Sequence, residues 1–407
     1  MFQPSVQILS EGIRQNSLGT RARRAIALTA VALAVLLPLS AASDEAEAGP
    51  FDRAGMWIWY VSAAEGGDPE RIIATAKAAG IGTLYIKSAD GTDTWSQFSK
   101  PLIRRFQRAG LDVCGWHYVY GTKAVREAEA SAVAKARGAD CFVIDAEAEY
   151  ERNDQYAKAD RYIRKLRALV GPKFPLGLSS FPYTHYHPAF PYSVFMGPGG
   201  ATANLPQVYW KTIGDTAKES LSITWVHNAL YRRPIFPLGQ TYLNPSRRSV
   251  ENFRRFLLSY GTEPSWWSWQ HTGRTQWRAL RRKIETPFAS YRPEREHMVL
   301  EVGDRGDQVV WLQQLLHGAG FDVSFTGVYG KKTRRAVIEF QRSRGLAADG
   351  VTGSATWRRL VKVKPTRVLW GKARSARSLR SAIPSGGAPL SASLGPGRNE
   401  LAGPAGR

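Results

Sequence analysis

A chain of 407 residues is too long for one ordinary compact core, and a formal net charge of +22 points to an acidic partner: nucleic acid, anionic lipid or an anionic wall polymer. No Cys/His ligand run, phosphate loop, basic zipper or aromatic RNA-binding signature is present, so no nucleic acid is expected and the wall polymer gains weight. With 2 cysteines in the whole chain, disulfides do not staple the protein together and buried apolar area has to supply its stability.

Residues 1–48 read as a signal peptide. Arg21, Arg23 and Arg24 precede an apolar run from Ala25 to Leu37, and Pro38 and small residues follow. The run falls short of the roughly 20 residues that a membrane span needs, so no stable membrane insertion is expected after cleavage behind Ala42 or Ala48. The mature chain is then secreted, extracellular or associated with the cell wall. The Arg23-Arg24 pair resembles a twin-arginine export signal, while Ala22 and Ala27 depart from its usual flanks.

From residue 51 to about 290, short apolar runs alternate with amphipathic stretches, the pattern of parallel strands joined by crossover helices. Eight runs can be counted, beginning at Gly55, Thr83, Asp112, Cys141, Phe174, Leu205, Arg233 and Ser265. The intervening PERIIATAKAAG, FSKPLIRRFQRAG, AVREAEASAVAKARG and ADRYIRKLRALVG each end in the glycine that commonly follows a helix. This count and length predict an α/β fold of the (β/α)8 TIM-barrel type, with an open doubly wound sheet as the alternative. Cys114 and Cys141 both fall in strand-like runs. A bridge and two buried free thiols are equally compatible with the sequence, which gives no distance between them.

Residues 299–362 are expected to form a small three-helix domain. Val309, Leu312, Leu315 and Leu316 make one apolar stripe, Ala336, Val337 and Phe340 a second, Trp357 and Leu360 a third. Turns fall at Gly327 to Gly330 and at Asp349 to Gly353. The opening Gly303-Asp304-Arg305-Gly306, then Gly327-Val328-Tyr329-Gly330, Phe340-Gln341, Asp349-Gly350 and Thr356-Trp357 make this segment similar to the common peptidoglycan-binding domain of cell-wall hydrolases. The resemblance implies peptidoglycan, or another cell-wall glycan, as partner. Residues 363–407, rich in Ser, Gly, Pro, Ala and Arg, read as a disordered basic tail.

In a barrel, chemistry sits at the C-terminal ends of the strands, which directs attention to CFVIDAEAEY. Residues two apart on a strand share a face, so Asp145, Glu147 and Glu149 are candidates to line the mouth together. Paired carboxyls suit glycoside hydrolysis, one protonated to donate to the leaving oxygen and one ionised. YIKSADG at Tyr85, GWHYVYG at Gly115, IDAE at Ile144 and WSWQHT at Trp267 resemble strand signatures of family 25 glycoside hydrolases, the barrel lysozymes. The resemblance implies Glu147 as general acid and Asp145 as its catalytic carboxylate neighbour. The sequence departs from that family by lacking an aspartate in GMWIWYV and another after Gln270. A non-catalytic glycan-binding barrel is therefore the second reading, and a peptidase or amidase is disfavoured because neither a metal-ligand set nor a nucleophile elbow is seen. Candidate substrate contacts are Glu149, Asp90, Trp116, Tyr118, Tyr209, Gln240, Trp269 and Gln270, rings to stack on sugar faces and polar groups to bond hydroxyls. His185 and His187 lack companions for a metal site, and neither metal nor cofactor is expected.

Overall fold

The computed structural model describes residues 49–152 and 155–371; the expected signal peptide and the chain beyond 371 lie outside the described residues. Each of the eight runs, rich in β-branched and aromatic side chains, forms a strand. These are β1 (Gly55–Ile58), β2 (Thr83–Asp90), β4 (Asp112–Val119), β5 (Cys141–Ala146), β6 (Leu176–Ser180), β7 (Ala203–Val208), β8 (Leu238–Gln240) and β9 (Ser265–Trp267); the two-residue β3 (Asp93–Thr94) folds back antiparallel on β2. All other pairings are parallel. β1 pairs with β2 on one side and β9 on the other, Gly55 lying opposite Thr83 and Ser265, so the sheet closes into an eight-stranded barrel.

Helices α1 (Pro69–Ala78), α2 (Lys100–Arg108), α3 (Ala124–Ala136), α4 (Gln155–Val170), α5 (Tyr192–Phe195), α6 (Trp210–Ile213), α7 (Ala217–Asn228), α8 (Arg247–Tyr260) and α9 (Arg274–Arg281) flank it. Their ends follow local rules. Asp68 caps α1 by accepting from the backbone N–H of Glu70 at 2.9 Å, with Pro69 in the first turn. Gly80 and Gly138 follow α1 and α3 at φ of 69° and 98°, a left-handed conformation that a side chain would strain.

An irregularity in the sheet sets up the mouth. Between β2 and β4 the register steps from Lys87 opposite Trp116 to Ala89 opposite His117, leaving Ser88 as an extra residue. Simple alternation would put Lys87 and Asp90 on opposite faces; the bulge reverses the phase and their side chains meet at 2.6 Å. Toward the opposite ends of the strands, Cys114 and Cys141 are direct partners on β4 and β5, Cα atoms 4.5 Å apart, and form a disulfide.

The C-terminal unit has the three expected helices, α10 (Asp307–Gly318), α11 (Lys331–Ser343) and α12 (Ser354–Leu360). Two buried glutamines organise its turns in the same manner. Gln313 accepts from Thr326 N and Gly327 N and donates to Thr333; Gln341 accepts from Gly350 N and donates to Thr356. Helix α10 is buried all round from Asp307 to Leu316, more than one apolar stripe requires, because its second face lies on the barrel. There Asp307 accepts from Tyr156 OH (2.8 Å), Ser193 N (2.8 Å), Ser193 Oγ (2.6 Å) and Tyr231 OH (2.8 Å), and Trp311 Nε1 donates to Leu230 O. The segment read as tail from residue 363 begins with packed residues. Thr366 N donates to Gln314 O, and buried Trp370 sits 4.8 Å from the Tyr156 ring.

Candidate active site at the barrel mouth

Strand β5 ends at Ala146, Glu147 leaves it with φ −133° and ψ −144°, and Ala148–Glu151 form a turn of 3-10 helix. The three acidic residues therefore do not continue one strand face. Asp145 and Glu147 still come together, because the Gln207 amide at the end of β7 donates to both, at 3.1 Å to Asp145 Oδ1 and 2.8 Å to Glu147 Oε1, and lies 3.2 Å from Ser179 Oγ on β6. Both carboxyls are buried, Asp145 at 6% and Glu147 at 8% exposure. Burial pushes the Glu147 carboxyl up from 4.5 to about 7, against the Gln207 hydrogen bond and helped by the Glu149 charge. Burial raises Asp145 too, followed by the charge of Glu147, while Lys87 and Ser179 pull it down. Two carboxyls this close titrate as a unit, and the pair holds a proton through the neutral range.

Around this pair stand the other groups expected at the mouth. Glu149 accepts from Tyr118 OH at 2.7 Å, and the Tyr118 hydroxyl is held far above its ordinary range by burial and by Glu147 and Glu149. Tyr209 is buried in the field of Asp145 and Glu147 with its ring 5.3 Å from Tyr242. Asp90 is shared between Lys87 Nζ and Tyr120 OH, at 2.6 and 2.7 Å. Trp116 donates from Nε1 to Ile58 O and lies among Trp57, Trp59 and Trp267.

Three candidates hold other parts of the barrel. Gln240 Oε1 accepts from Lys211 N and Thr212 N and its amide donates to Tyr242 O, so it fixes the start of α6. Gln270 accepts from Trp59 N and donates to Tyr60 O, tying β9 to the end of β1. Trp269 is buried against Trp277, ring centroids 5.1 Å apart.

Lys87 was not among the residues singled out, although a lysine inside the apolar run TLYIKSAD is the signal that could have found it. It is 2% exposed, and its ammonium sits 4.7 Å from the Trp59 ring and 4.8 Å from each of Trp95 and Trp116. Burial lowers its pKa and Asp90 opposes the fall. At the rim, Tyr60 is 44% exposed and packs on Trp59 and Trp95. Trp59 Nε1 and Trp267 Nε1 are buried donors without a hydrogen-bond partner among the described residues. Gln207, which in sequence is an amide able to bond sugar hydroxyls like Gln240 and Gln270, is the one of the three that bonds the carboxyl pair.

Fold and mouth define a closed parallel α/β barrel with a buried carboxyl pair at the C-terminal ends of its strands, carrying a helical domain docked on its side. Residues 305–360 of that helical domain match the family model of the peptidoglycan binding domain. Solved structures similar to parts of the chain include a peptidoglycan-binding protein from Clostridioides difficile in complex with glutamine hydroxamate, with 40% identity over 16% of this chain and 40% of that one at a TM-score of 0.15. The catalytic domain of endolysin ply40 from bacteriophage P40 of Listeria monocytogenes shows 16% identity over 32% of this chain and 64% of that one, TM-score 0.25. A family 39 glycoside hydrolase from Bacteroides cellulosilyticus WH2 shows 11% identity over 57% and 64%, TM-score 0.39. The chain thus spans less than two thirds of the length of each of these proteins.

Proposed function

We propose that the protein is a secreted, wall-associated glycoside hydrolase that binds peptidoglycan through its C-terminal domain and cleaves the glycan strand at the barrel mouth. The observation that carries the reading is the buried pair Asp145 and Glu147 on the shared amide of Gln207. Burial raises both carboxyls and the Glu147 charge raises Asp145 further, so the pair shares a proton; it is assigned to Glu147 in the reactive form, because the Lys87 charge and the Ser179 hydroxyl pull on Asp145 and not on Glu147. Glu147 donates that proton to the glycosidic oxygen as the bond from the anomeric carbon breaks. Asp145 stabilises the positive charge that develops on the sugar, directly or by orienting a substrate acetamido group for attack; water then adds to the anomeric carbon and returns a proton to Glu147. Two oxygens on one NH2 group lie within roughly 6 Å of each other, closer than the separation inverting enzymes keep for a water, which favours retention of configuration. Tyr118, Glu149, Tyr209 and Asp90 surround the pair and supply substrate contacts.

A second reading, a barrel that grips glycan without cutting it, is favoured by Trp57 on β1 and Trp59 just beyond its end, where the lysozyme resemblance implies a carboxylate. Release of reducing sugar and soluble muropeptides from purified peptidoglycan, from about pH 4 to about pH 8, separates the two. The hydrolase reading expects release by the parent, falling as pH rises through about 7, and a loss of at least ~100-fold in Glu147→Gln. Sedimentation of both proteins with the wall and no release by either would establish the binding protein instead.

A further inference from the structure

Four arginines meet at the opposite end of the barrel from the acidic pair. Arg164 and Arg167 project from α4, Arg233 lies ahead of β8 and Arg367 comes from the segment that follows the binding domain; with Gly199 and Gly200 ahead of β7 they line a cavity of about 590 Å³. Among the described residues no carboxylate lines it, and the nearby Asp160 is engaged by Arg164 Nε at 3.2 Å.

The donors divide into two sets. Arg167 is a structural staple, its guanidinium donating to the carbonyls of Gly199 (3.1 Å), Phe174 (2.6 Å) and Gly200 (2.7 Å). Arg233 uses Nε and Nη2 on Met196 O and Gly197 O, which leaves Nη1. Arg164 commits only Nε, and exposed Arg367 lies with Nη1 3.4 Å from where a Cβ on Gly199 would sit. Burial, and after it the Arg233 charge, pull Arg167 down to about 10.

We propose that this cleft is an anion site for a phosphate group, held by the uncommitted guanidinium N–H groups of Arg164, Arg233 and Arg367 around it. Donors converging from three chain segments suit a tetrahedral oxyanion, and a cavity without acidic lining puts nothing in its way. Because Arg367 follows the binding domain, an occupied site would also tie that segment to the barrel. The inference is independent of whether the barrel cuts glycan.

The test is calorimetric titration of the full chain with inorganic phosphate at constant ionic strength, comparing the parent, Arg164→Gln/Arg367→Gln, and Arg104→Gln/Arg108→Gln. The last removes equal charge from exposed positions on α2. Saturable one-to-one binding by the parent and the α2 variant, weakened at least ~10-fold in Arg164→Gln/Arg367→Gln, is the expected result. No saturable binding by the parent, or equal weakening in both variants, would overturn the site. Repeating the titration with glycerol 3-phosphate and with a glycerol phosphodiester identifies the source: diester binding points to a polymer repeat, and binding restricted to the monoester and inorganic phosphate points to a free phosphate. The cleft variants carry changes only at exposed side chains, and an unchanged thermal melt without phosphate verifies that they fold.

Discussion

Glu147 is a carboxyl whose burial works against the fold and, on the proposed reading, prepares it for chemistry. Its pKa rises from 4.5 to about 7, so the folded protein keeps a proton that the unfolded chain has already released between those values. Stability from this group therefore falls as pH rises through that window, and the penalty is fully present above about 7. Glu147→Gln cannot ionise. It should be more stable than the parent by on the order of 1 to 3 kcal/mol at pH about 8 and nearly equal at pH about 4.5, read from urea unfolding at both. An equal difference at the two pH values would mean that the substitution acts through packing rather than charge. At this scale the sequence was partly legible. Asp145 and Glu147 stood out because a D-x-E at the end of an apolar strand has a reason to be there. Gln207 stood out only as an amide that could bond sugar hydroxyls; that it joins the two carboxyls was not legible, since it reaches across from β7 and only the closed barrel brings it within 3.1 Å of Asp145. Gln240 and Gln270 offered the same sequence signal and turn out to cap backbone N–H groups.

Elements were the most legible level, because strand runs and helix-ending glycines obey local rules. The eight runs chosen for β-branched and aromatic content are the eight barrel strands, and Gly80 closes α1 where the pattern placed a stop. Local irregularity is what the pattern hides: one extra residue at Ser88 turns Asp90 to the side of Lys87, and nothing in YIKSADG announces it. Pairing of Cys114 with Cys141 was equally hidden, as it depends on β4 and β5 being neighbours in register. That bridge closes a loop with a sequence separation of 27 residues around α3, which should reduce the unfolded chain's entropy. Cys114→Ser/Cys141→Ser should lose about 3 kcal/mol of stability by urea unfolding, with the parent under reducing conditions approaching the same midpoint once both sulfurs are reduced. If the serine variant unfolds at the parent's midpoint, the disulfide contributes nothing beyond the packing of two small buried residues.

At the scale of the whole molecule, the two domains are joined by more than a covalent connection. Residues 282–299 lead from α9 toward α10, with Phe288 and Tyr291 resting on Phe256, but the stronger tie is Asp307. From sequence it is an acidic residue in the first turn of a helix, favourable to the helix dipole and otherwise unremarked. In the structure it accepts from Tyr156, Tyr231 and both donors of Ser193, all on the barrel, and it is 0% exposed. Asp307→Ala leaves those donors buried without an acceptor, at a cost of about 3 kcal/mol or more, charged against the interface because the core of α10, α11 and α12 does not use this side chain. The expected outcome is a melt that separates into two transitions and faster tryptic cleavage at Arg282, Lys283 and Arg295, where the parent melts once and resists. If the barrel cuts glycan, the same variant should lose more activity on insoluble wall than on short soluble fragments. Undocking frees the binding domain to hold a strand in orientations that the mouth cannot reach, and only the insoluble substrate depends on that alignment. A single cooperative transition with unchanged cleavage would show that the docked arrangement does not need Asp307, and the contacts of Gln308, Trp311 and Trp370 with the barrel would then carry it.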